Sequence, residues 1–242
     1  MNNRYYLLLC LSIFIFLSSC TKDEEIIEPQ GADSELTDFE LETIDYFKEV
    51  ALGFENGGVP EITRRWNAPM KIFIDGNPSE KNMAKVIEAM TIINSLQTLD
   101  DFYVELVEEE NLSNCYLFFG SALEFEMMFS GVTVGSNYGN FYVWWQSNNI
   151  NRARIFVDTD RANEEQQESL ILEEITQALG LGKDSPKYTN SIFYETPTNG
   201  GFATEYSEID KELIRLLYHP AMSVGLNAAQ VDRVLRNILE ND

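Results

Sequence analysis

Apolar residues recur along the chain at two spacings, and these spacings predict its helices and strands. A spacing of three and four residues is typical of amphipathic helices, whereas short alternating or continuous apolar runs indicate strands. Helices are predicted from Asp33 or Ser34 to Gly53, from Ser79 to Leu96, and over residues 122–129, 164–179, 207–218 and 227–239. Strands are predicted at Met70–Gly76 and over residues 102–107, 116–119, 141–145 and 154–157. This order predicts an α/β (α+β) fold with a mixed twisted sheet, one long helix beneath it and a helical C-terminal part.

The first twenty residues have the layout of a secretory signal peptide. Arg4 precedes an apolar run over residues 5–17, and small residues then lead to Cys20. The run is too short, and too polar at its end, for a stable transmembrane helix. Leu17-Ser18-Ser19-Cys20 resembles the bacterial lipobox, whose cysteine receives diacylglycerol, so lipid including palmitate is expected on Cys20. The alternative is a plain signal peptide in which Cys20 is incidental.

The residues that follow Cys20 are acidic. Thr21-Lys22-Asp23-Glu24-Glu25 resembles the signal that sends lipoproteins of certain Gram-negative bacteria to the outer face of the outer membrane. The alternative is a solvated tether, since acidic linkers are common. The expected organisation is a signal peptide at 1–19, a lipidated acidic tether at 20–33 and a single domain at 34–242. The protein is then anchored in the outer membrane through Cys20 and exposed at the cell surface.

Composition narrows the possible functions. The 242 residues include 17 Lys and Arg against 40 Asp and Glu, which gives a formal net charge of −23. Such a chain repels phosphate backbones and has no basic patch, so nucleic-acid binding is excluded. The single histidine, His219, excludes a His-rich metal site. After removal of the signal and lipidation of Cys20, Cys115 is the one free cysteine, and its apolar neighbours indicate a buried thiol.

One segment has a spacing that suggests chemistry. Glu173 and Gln177 are four residues apart on the predicted helix at 164–179, so both project from one face, with Glu174 beside them. Gly180 can end the helix in a left-handed conformation and turn the chain back. Side chains placed in this way converge on one point. This is the geometry of a helix-borne metal site in which a glutamate serves as general base.

This segment resembles the metal-binding helix of metzincin peptidases, HExxHxxGxxH. In the resemblance, the first His corresponds to Glu173, the catalytic Glu to Glu174, the second His to Gln177, the Gly to Gly180 and the third His to Lys183. It implies a zincin-like, matrixin-like domain whose long helix carries the active site. The chain also resembles a bacterial family of unknown function whose members have Glu-Glu-x-x-Gln in place of His-Glu-x-x-His.

The resemblance covers most of residues 64–220. Ser191-Ile192-Phe193 is similar to the Ser-x-Met turn beneath the metal, with Phe193 in place of Met. The acidic start of the helix predicted at 207–218 is like that of the last matrixin helix. Residues 141–157 are expected to supply the edge strand of the cleft and its neighbour. The resemblance therefore implies a cleft that includes Glu173, Gln177, Lys183 and Phe193.

The replaced histidines argue against zinc. A catalytic zinc needs three good donors and an open position. The carboxylate of Glu173 can serve, but the amide of Gln177 is a poor ligand and the ammonium of Lys183 is none. Lys183 is expected to repel a cation and to neutralise part of the charge of Glu173 and Glu174. We therefore expect no metal and no cofactor, and Glu174 is catalytic only if the domain is active.

Three classes of function remain, of which the enzymatic one is disfavoured. The first is a non-catalytic peptide- or protein-binding module, in which the strand at 141–145 pairs with an extended ligand. The alternative is a nonstandard metal-dependent hydrolase, a peptidase, with Glu174 as base. In it, one divalent metal ion is held through oxygen by Glu173, Gln177 and Asp184. A third class, a purely structural cell-surface protein, predicts no ligand.

Replacement of Cys20 tests the lipid anchor. The Cys20→Ala variant is expected to accumulate as precursor or as soluble protein, because the thiol that receives the lipid is gone. Membrane fractionation of cells producing the parent or the variant measures this. A variant that fractionates with the membrane as the parent does would contradict lipidation at Cys20.

Overall fold

The computed structural model describes residues 36–55, 57–196, 199–200 and 202–241. The predicted signal peptide, lipid anchor and tether, at residues 1–33, lie outside this part of the chain. Its α-helices are α1 Asp38–Ala51, α2 Glu80–Leu96, α3 Ala122–Met128, α4 Glu164–Gln177, α5 Glu208–Leu217 and α6 Ala228–Leu239. Within the described residues, no helix has the length and apolar character needed to cross a membrane.

Each of these six helices begins with a capping box. The capping residues are Thr37, Ser79, Ser121, Asn163, Ser207 and Asn227. In each box a side-chain oxygen accepts from a backbone N–H three residues later, which satisfies donors that the first helical turn leaves free. The predicted start of the first helix at Asp33 or Ser34 is wrong, because Thr37 is the cap. The Glu40 carboxylate accepts from the backbone N–H of Thr37 at 2.7 Å and completes that box.

The main sheet has six strands. They are β1 Arg65–Trp66, β2 Met70–Gly76, β3 Val104–Leu106, β4 Cys115–Gly120, β5 Gly139–Gln146 and β6 Asn149–Asp158. The order across the sheet is β3-β2-β4-β6-β5, and the short β1 pairs with the beginning of β6. All paired strands are parallel except β5, which is antiparallel to β6. A separate two-stranded pairing joins β7 Glu195–Thr196 to β8 Asn199–Gly200.

β5 and β6 form a hairpin at one side of the sheet. Its turn consists of Ser147 and Asn148, both with positive φ, at 50° and 65°. Two successive positive φ angles match the type I′ turn, whose twist suits a hairpin. A register irregularity lies between Trp144 and Trp145. Among the described strands, β5 pairs with β6 alone, so its outer edge has no strand partner.

Two hydrophobic cores lie on opposite faces of the sheet. The larger core contains the inner faces of α1, α2, α4, α5 and α6, and α4 packs against α2, β5 and β6. The smaller core is mainly aromatic and consists of Tyr116, Phe118, Phe125, Val132, Val134 and Phe156. All residues of β4 are buried, as is typical of a parallel strand covered on both faces. The predicted α/β fold class, with a mixed sheet and a helical C-terminal part, is confirmed.

Asp210 connects the start of α5 to the turn that resembles the Ser-x-Met turn. Its carboxylate accepts hydrogen bonds from Ser191 Oγ at 2.6 Å, from the Ile192 N–H at 3.2 Å and from the Ser207 N–H at 2.9 Å. Ser191 Oγ also lies 2.8 Å from the Tyr46 hydroxyl of α1. The group is buried, and burial raises the pKa of Asp210. This network holds the turn, α1 and α5 together.

Removal of the Asp210 carboxylate is expected to destabilise the domain. Asp210→Ala leaves several buried donors without an acceptor, and we expect a loss of about 3 kcal/mol or more. The matched control is Glu208→Ala, on the same helix with a side chain 83% exposed, for which about 0.5 kcal/mol or less is expected. Denaturant unfolding of both variants measures the free energies. Equal effects of the two substitutions would show that the network contributes no stability.

Candidate functional site

A cleft of about 390 Å³ lies between α4 and the beginning of β5. The helix contributes one stripe of side chains at helical spacing, and the opposite wall comes from residues 136–141. The lining residues are Glu55, Ser136, Asn137, Tyr138, Gly139, Asn140, Phe141, Gln166, Leu170, Glu173, Glu174, Asp184, Tyr194, Glu195 and Phe202. Five of them are carboxylates, and the cleft is therefore acidic at one end and aromatic along its walls.

The turn after α4 determines one side of the cleft. Gly180 has a φ of 121°, and a Cβ at this position would lie 2.0 Å from the backbone oxygen of Arg64. Only glycine fits both conditions, so the predicted glycine stop is confirmed, although α4 itself ends at Gln177. The chain then runs back as an extended segment, residues 182–185.

Two isolated bridges hold this extended segment, residues 182–185. Gly182 pairs with Phe54, and Ser185 pairs with Tyr194. The residues that follow Phe54 and Tyr194 are Glu55 and Glu195. Their backbone N–H groups donate to the oxygens of Gly182 at 3.0 Å and Ser185 at 3.3 Å. The bridges therefore bring two carboxylates from distant parts of the chain to either side of the segment.

Asp184 is the centre of the acidic end. The carboxyl groups of Glu55, Glu173 and Glu195 lie near that of Asp184, and each of these pairs affects the pKa of at least one of its members. Gln177 is buried beneath them, and its Nε2 donates to Glu55 Oε1 at 2.5 Å and to Asp184 Oδ1 at 2.7 Å. The structure thus brings together Glu173, Gln177 and Asp184, the three residues of the alternative metal site. The amide presents its NH₂ group, rather than its oxygen, to the acids.

Glu174 lies deeper than the other carboxylates and is 5% exposed. Its Oε2 atom has no hydrogen-bond partner among the described residues. Its Oε1 atom packs against Gly139 at the start of β5, where a Cβ would lie only 2.3 Å away. Gly139 is therefore required for the carboxylate of Glu174 to reach the cleft between helix and strand.

Proximity and burial change the proton affinities of these acids. Burial raises the pKa of Glu173 to about 8, and the charges of Glu55 and Glu195 add to the effect. Burial and the charge of Glu173 raise the pKa of Glu174 well above its ordinary value. The pKa of Asp184 is also raised, first by burial and then by its contact with Glu195. Like charges this close favour the protonated forms, so the acidic end retains protons at neutral pH.

Lys183 does not neutralise this cluster, and that prediction is wrong. Its ammonium pairs with Glu61 at 2.8 Å. Both side chains line a neighbouring pocket, which Glu55, Asp184 and Glu195 also line. Phe193 is fully buried and is not among the lining residues. Of the predicted cleft residues, Glu173 lines the cleft and Gln177 supports it from below.

A family model described as "Protein of unknown function (DUF2927)" matches residues 41–237. The chain belongs to this family. This membership agrees with the expectation, from the sequence, that the chain is similar to a family of unknown function. A search among curated proteins gave no match.

Two solved structures of myroilysin are similar to the DUF2927 chain. The first, "Structure of Myroilysin", is 13% identical to this chain with a TM-score of 0.41, and the match covers 64% of this chain and 82% of the myroilysin chain. The second, "Crystal structure of myroilysin", is 12% identical with a TM-score of 0.42, and the match covers 72% of this chain and 93% of the myroilysin chain.

The lining of the DUF2927 cleft contains carboxylates but no histidine or cysteine, the side chains that most often hold the zinc that the metzincin resemblance implies. Imidazole and thiolate are the usual partners of such an ion. His219 lies in the turn after α5, where its Nδ1 accepts from the Ala221 N–H, and Cys115 is buried in β4. Neither lines the cleft. Within the part of the chain that is described, no three or more His, Cys, Asp or Glu residues have the arrangement of a metal site.

Two carboxylates of the site carry no signal in the local sequence pattern. Glu55 follows the end of α1 and Glu195 follows the turn at Ser191, and both are exposed. They reach Asp184 only through the two bridges to residues 182–185. Glu195 could have been suspected from its closeness to that turn. Glu55 is recognisable only once the fold is known.

The metal-free domain is expected to lose stability as the pH rises from about 5 to 8. Glu173 binds its proton more tightly in the folded state, where its pKa is about 8, than in the unfolded chain, where the ordinary value is 4.5. The unfolded state therefore holds fewer protons in this window, and the free energy of unfolding decreases with pH. Glu173→Gln should reduce this decrease.

Unfolding at pH 5, 6, 7 and 8 in the presence of a chelator measures this dependence. One kcal/mol corresponds to a shift of about 2–4 °C in the melting temperature for a domain of this size. The matched control is Glu165→Gln, an exposed acid on the same helix, which should retain the pH dependence of the parent. Identical pH profiles for the parent and Glu173→Gln would contradict the raised pKa.

Proposed function

We propose that this DUF2927 domain is a non-catalytic module that binds an extended peptide or protein segment in the cleft between α4 and β5. The observation that carries the proposal is the outer edge of β5, which has no strand partner among the described residues and lies beside the cleft. An exposed strand edge presents unpaired backbone N–H and C=O groups, and extended peptides bind to such edges as an added strand.

The walls of the cleft support binding of side chains as well as backbone. Tyr138 and Phe202 line it and are both exposed, at 39% and 52%. Exposed aromatic rings beside a cavity provide apolar contact area for a ligand.

Hydrogen bonds from Arg161 hold the rim of the cleft at residues 136–138 in place. Arg161 donates to the backbone oxygens of Ser136 at 3.4 Å and Asn137 at 2.6 Å, and its Nε to the buried Asp158 at 2.5 Å.

The state of Glu174 supports a non-catalytic role. A general base must be able to accept a proton, and its pKa should lie near the working pH. Burial and the charge of Glu173 raise the pKa of Glu174 well above its ordinary value, which favours the protonated form of this group. A protonated carboxyl group cannot activate water.

We infer a place for this module on the bacterial surface. The lipobox-like residues 17–20 and the acidic residues that follow support a protein anchored in the outer membrane through lipid on Cys20. In this proposal the acidic tether at residues 20–33 joins the lipid on Cys20 to the domain. The Cys20→Ala experiment described above tests the anchor.

A metal-dependent hydrolase with oxygen ligands is the second candidate. The contact between Asp184 and Glu173 favours it, because carboxylates are the ligands that hard divalent cations prefer. In this case Glu174 would lose its proton and serve as base. Metal analysis of the purified domain, with Glu173→Ala as comparison, separates the two candidates. A stoichiometric metal that is lost in Glu173→Ala would favour the hydrolase.

Truncation of Phe202 tests the peptide-binding module. Binders are selected from a displayed library of random decapeptides on the immobilised domain, and their dissociation constants are measured. Phe202→Ala is expected to weaken binding about tenfold, which corresponds to about 1.4 kcal/mol. The matched control is Phe39→Ala, a phenylalanine of similar exposure (49%) on α1 outside the cleft, which should leave binding unchanged. Absence of binders from the library, or equal affinities of the parent and Phe202→Ala, would refute binding in this cleft.

A further inference from the structure

We propose that the acidic end of the cleft receives the side chain of a lysine or arginine residue of the bound segment. The inference rests on the proposed peptide-binding function and adds the chemical class of the ligand. The positive group would lie among Glu173, Glu174 and Asp184, with the aliphatic stem along the apolar part of the cleft.

The first argument is the missing counter-charge. None of the five lining carboxylates forms an ion pair within the described part of the chain. Lys183 is near but pairs with Glu61, and the guanidinium of Arg161 is bound to Asp158 and two backbone oxygens. Buried acids are normally paired or hydrogen-bonded, because their desolvation is costly. A cation supplied by the ligand would restore that balance.

The second argument is the unsatisfied oxygen of Glu174. This side chain is more than nine-tenths buried, it lines the cleft, and its Oε2 atom has no hydrogen-bond partner among the described residues. A buried polar atom without a partner costs about 1–3 kcal/mol. The glycine at position 139 keeps the space in which the carboxylate lies. An ammonium or guanidinium group donates hydrogen bonds and accepts none, so it suits these carboxyl groups once they release their protons and act as acceptors.

The third argument is the gradient of polarity along the cleft. Leu170 and Phe141 lie beside the carboxylates, and Tyr194 and Phe202 line the same cavity. Lysine and arginine bury their aliphatic stems along apolar surface while the charged head stays among polar groups. A free divalent cation would use the carboxylates but not the apolar walls. A basic side chain uses both.

The experiment compares four peptides that differ at one position. Each has seven residues of Gly, Ala and Ser around a central arginine, lysine, citrulline or norleucine, and binding to the purified domain is followed by NMR titration. Citrulline and norleucine keep nearly the shape of arginine and lysine without the charge. The arginine and lysine peptides are expected to bind at least about tenfold more tightly than the neutral ones. In Glu173→Gln/Asp184→Asn this difference should disappear.

A matched double variant controls for the general field of this acidic protein. Glu108→Gln/Glu109→Gln removes the same formal charge from an exposed segment after β3, away from the cleft, and should retain the preference. Thermal melts show whether each variant is folded. The comparison of charged and neutral peptides on the parent domain does not depend on any variant.

The outcomes separate this inference from the proposed function. Equal binding of all four peptides would leave the peptide-binding module in place and overturn the preference for a basic side chain. If none binds while a peptide from the decapeptide library does, the preference is likewise overturned. If no peptide of either kind binds, the proposed function itself fails. Stoichiometric binding of Ca²⁺, Mg²⁺ or Zn²⁺ that is lost in Glu173→Gln would assign the carboxylates to a metal and also overturn the inference.

Discussion

The extended segment at residues 182–185 is the constraint on which the acidic cleft depends. It begins where Gly180 turns the chain back from α4, in a conformation and a space that admit no side chain. Phe54 pairs with it on one side and Tyr194 on the other. Without these two bridges, Glu55 and Glu195 would have no fixed relation to Asp184. A backbone arrangement therefore determines the charge density of the site.

The acids can lie this close together because some of them bind protons. Carboxylates in contact repel one another, and the repulsion is relieved when some of them stay protonated. Gln177 contributes by donating from one amide nitrogen to two of the acids. The helix thus supports the cluster of acids with a neutral donor. Such a site is stable when empty at moderate pH and gains most from a ligand that carries positive charge.

Local sequence signals were sufficient for the elements and for part of the site. The spacing of Glu173, Glu174 and Gln177 on a helix, and the glycine stop after it, are determined by residues near in sequence, and they occur as predicted. The start of α1 was placed wrongly, because Thr37 forms a better capping box than the residues before it. The partner of Lys183 is Glu61, which lies 122 residues away in the sequence, and no local pattern indicates that pairing. Long-range contacts of this kind leave no periodic pattern in the sequence.

The two sides of the cleft differ in how far apart their parts lie along the chain. The β5–β6 wall is a hairpin closed by Ser147 and Asn148, so its contacts are local and cost little loop entropy to form. The acidic side joins the end of α1, the chain after α4 and the turn near Ser191, and the contact with α1 closes a much longer loop, which costs more entropy. A segment held across the cleft would connect the locally closed wall to the wall that depends on distant contacts, and so stabilise the native state.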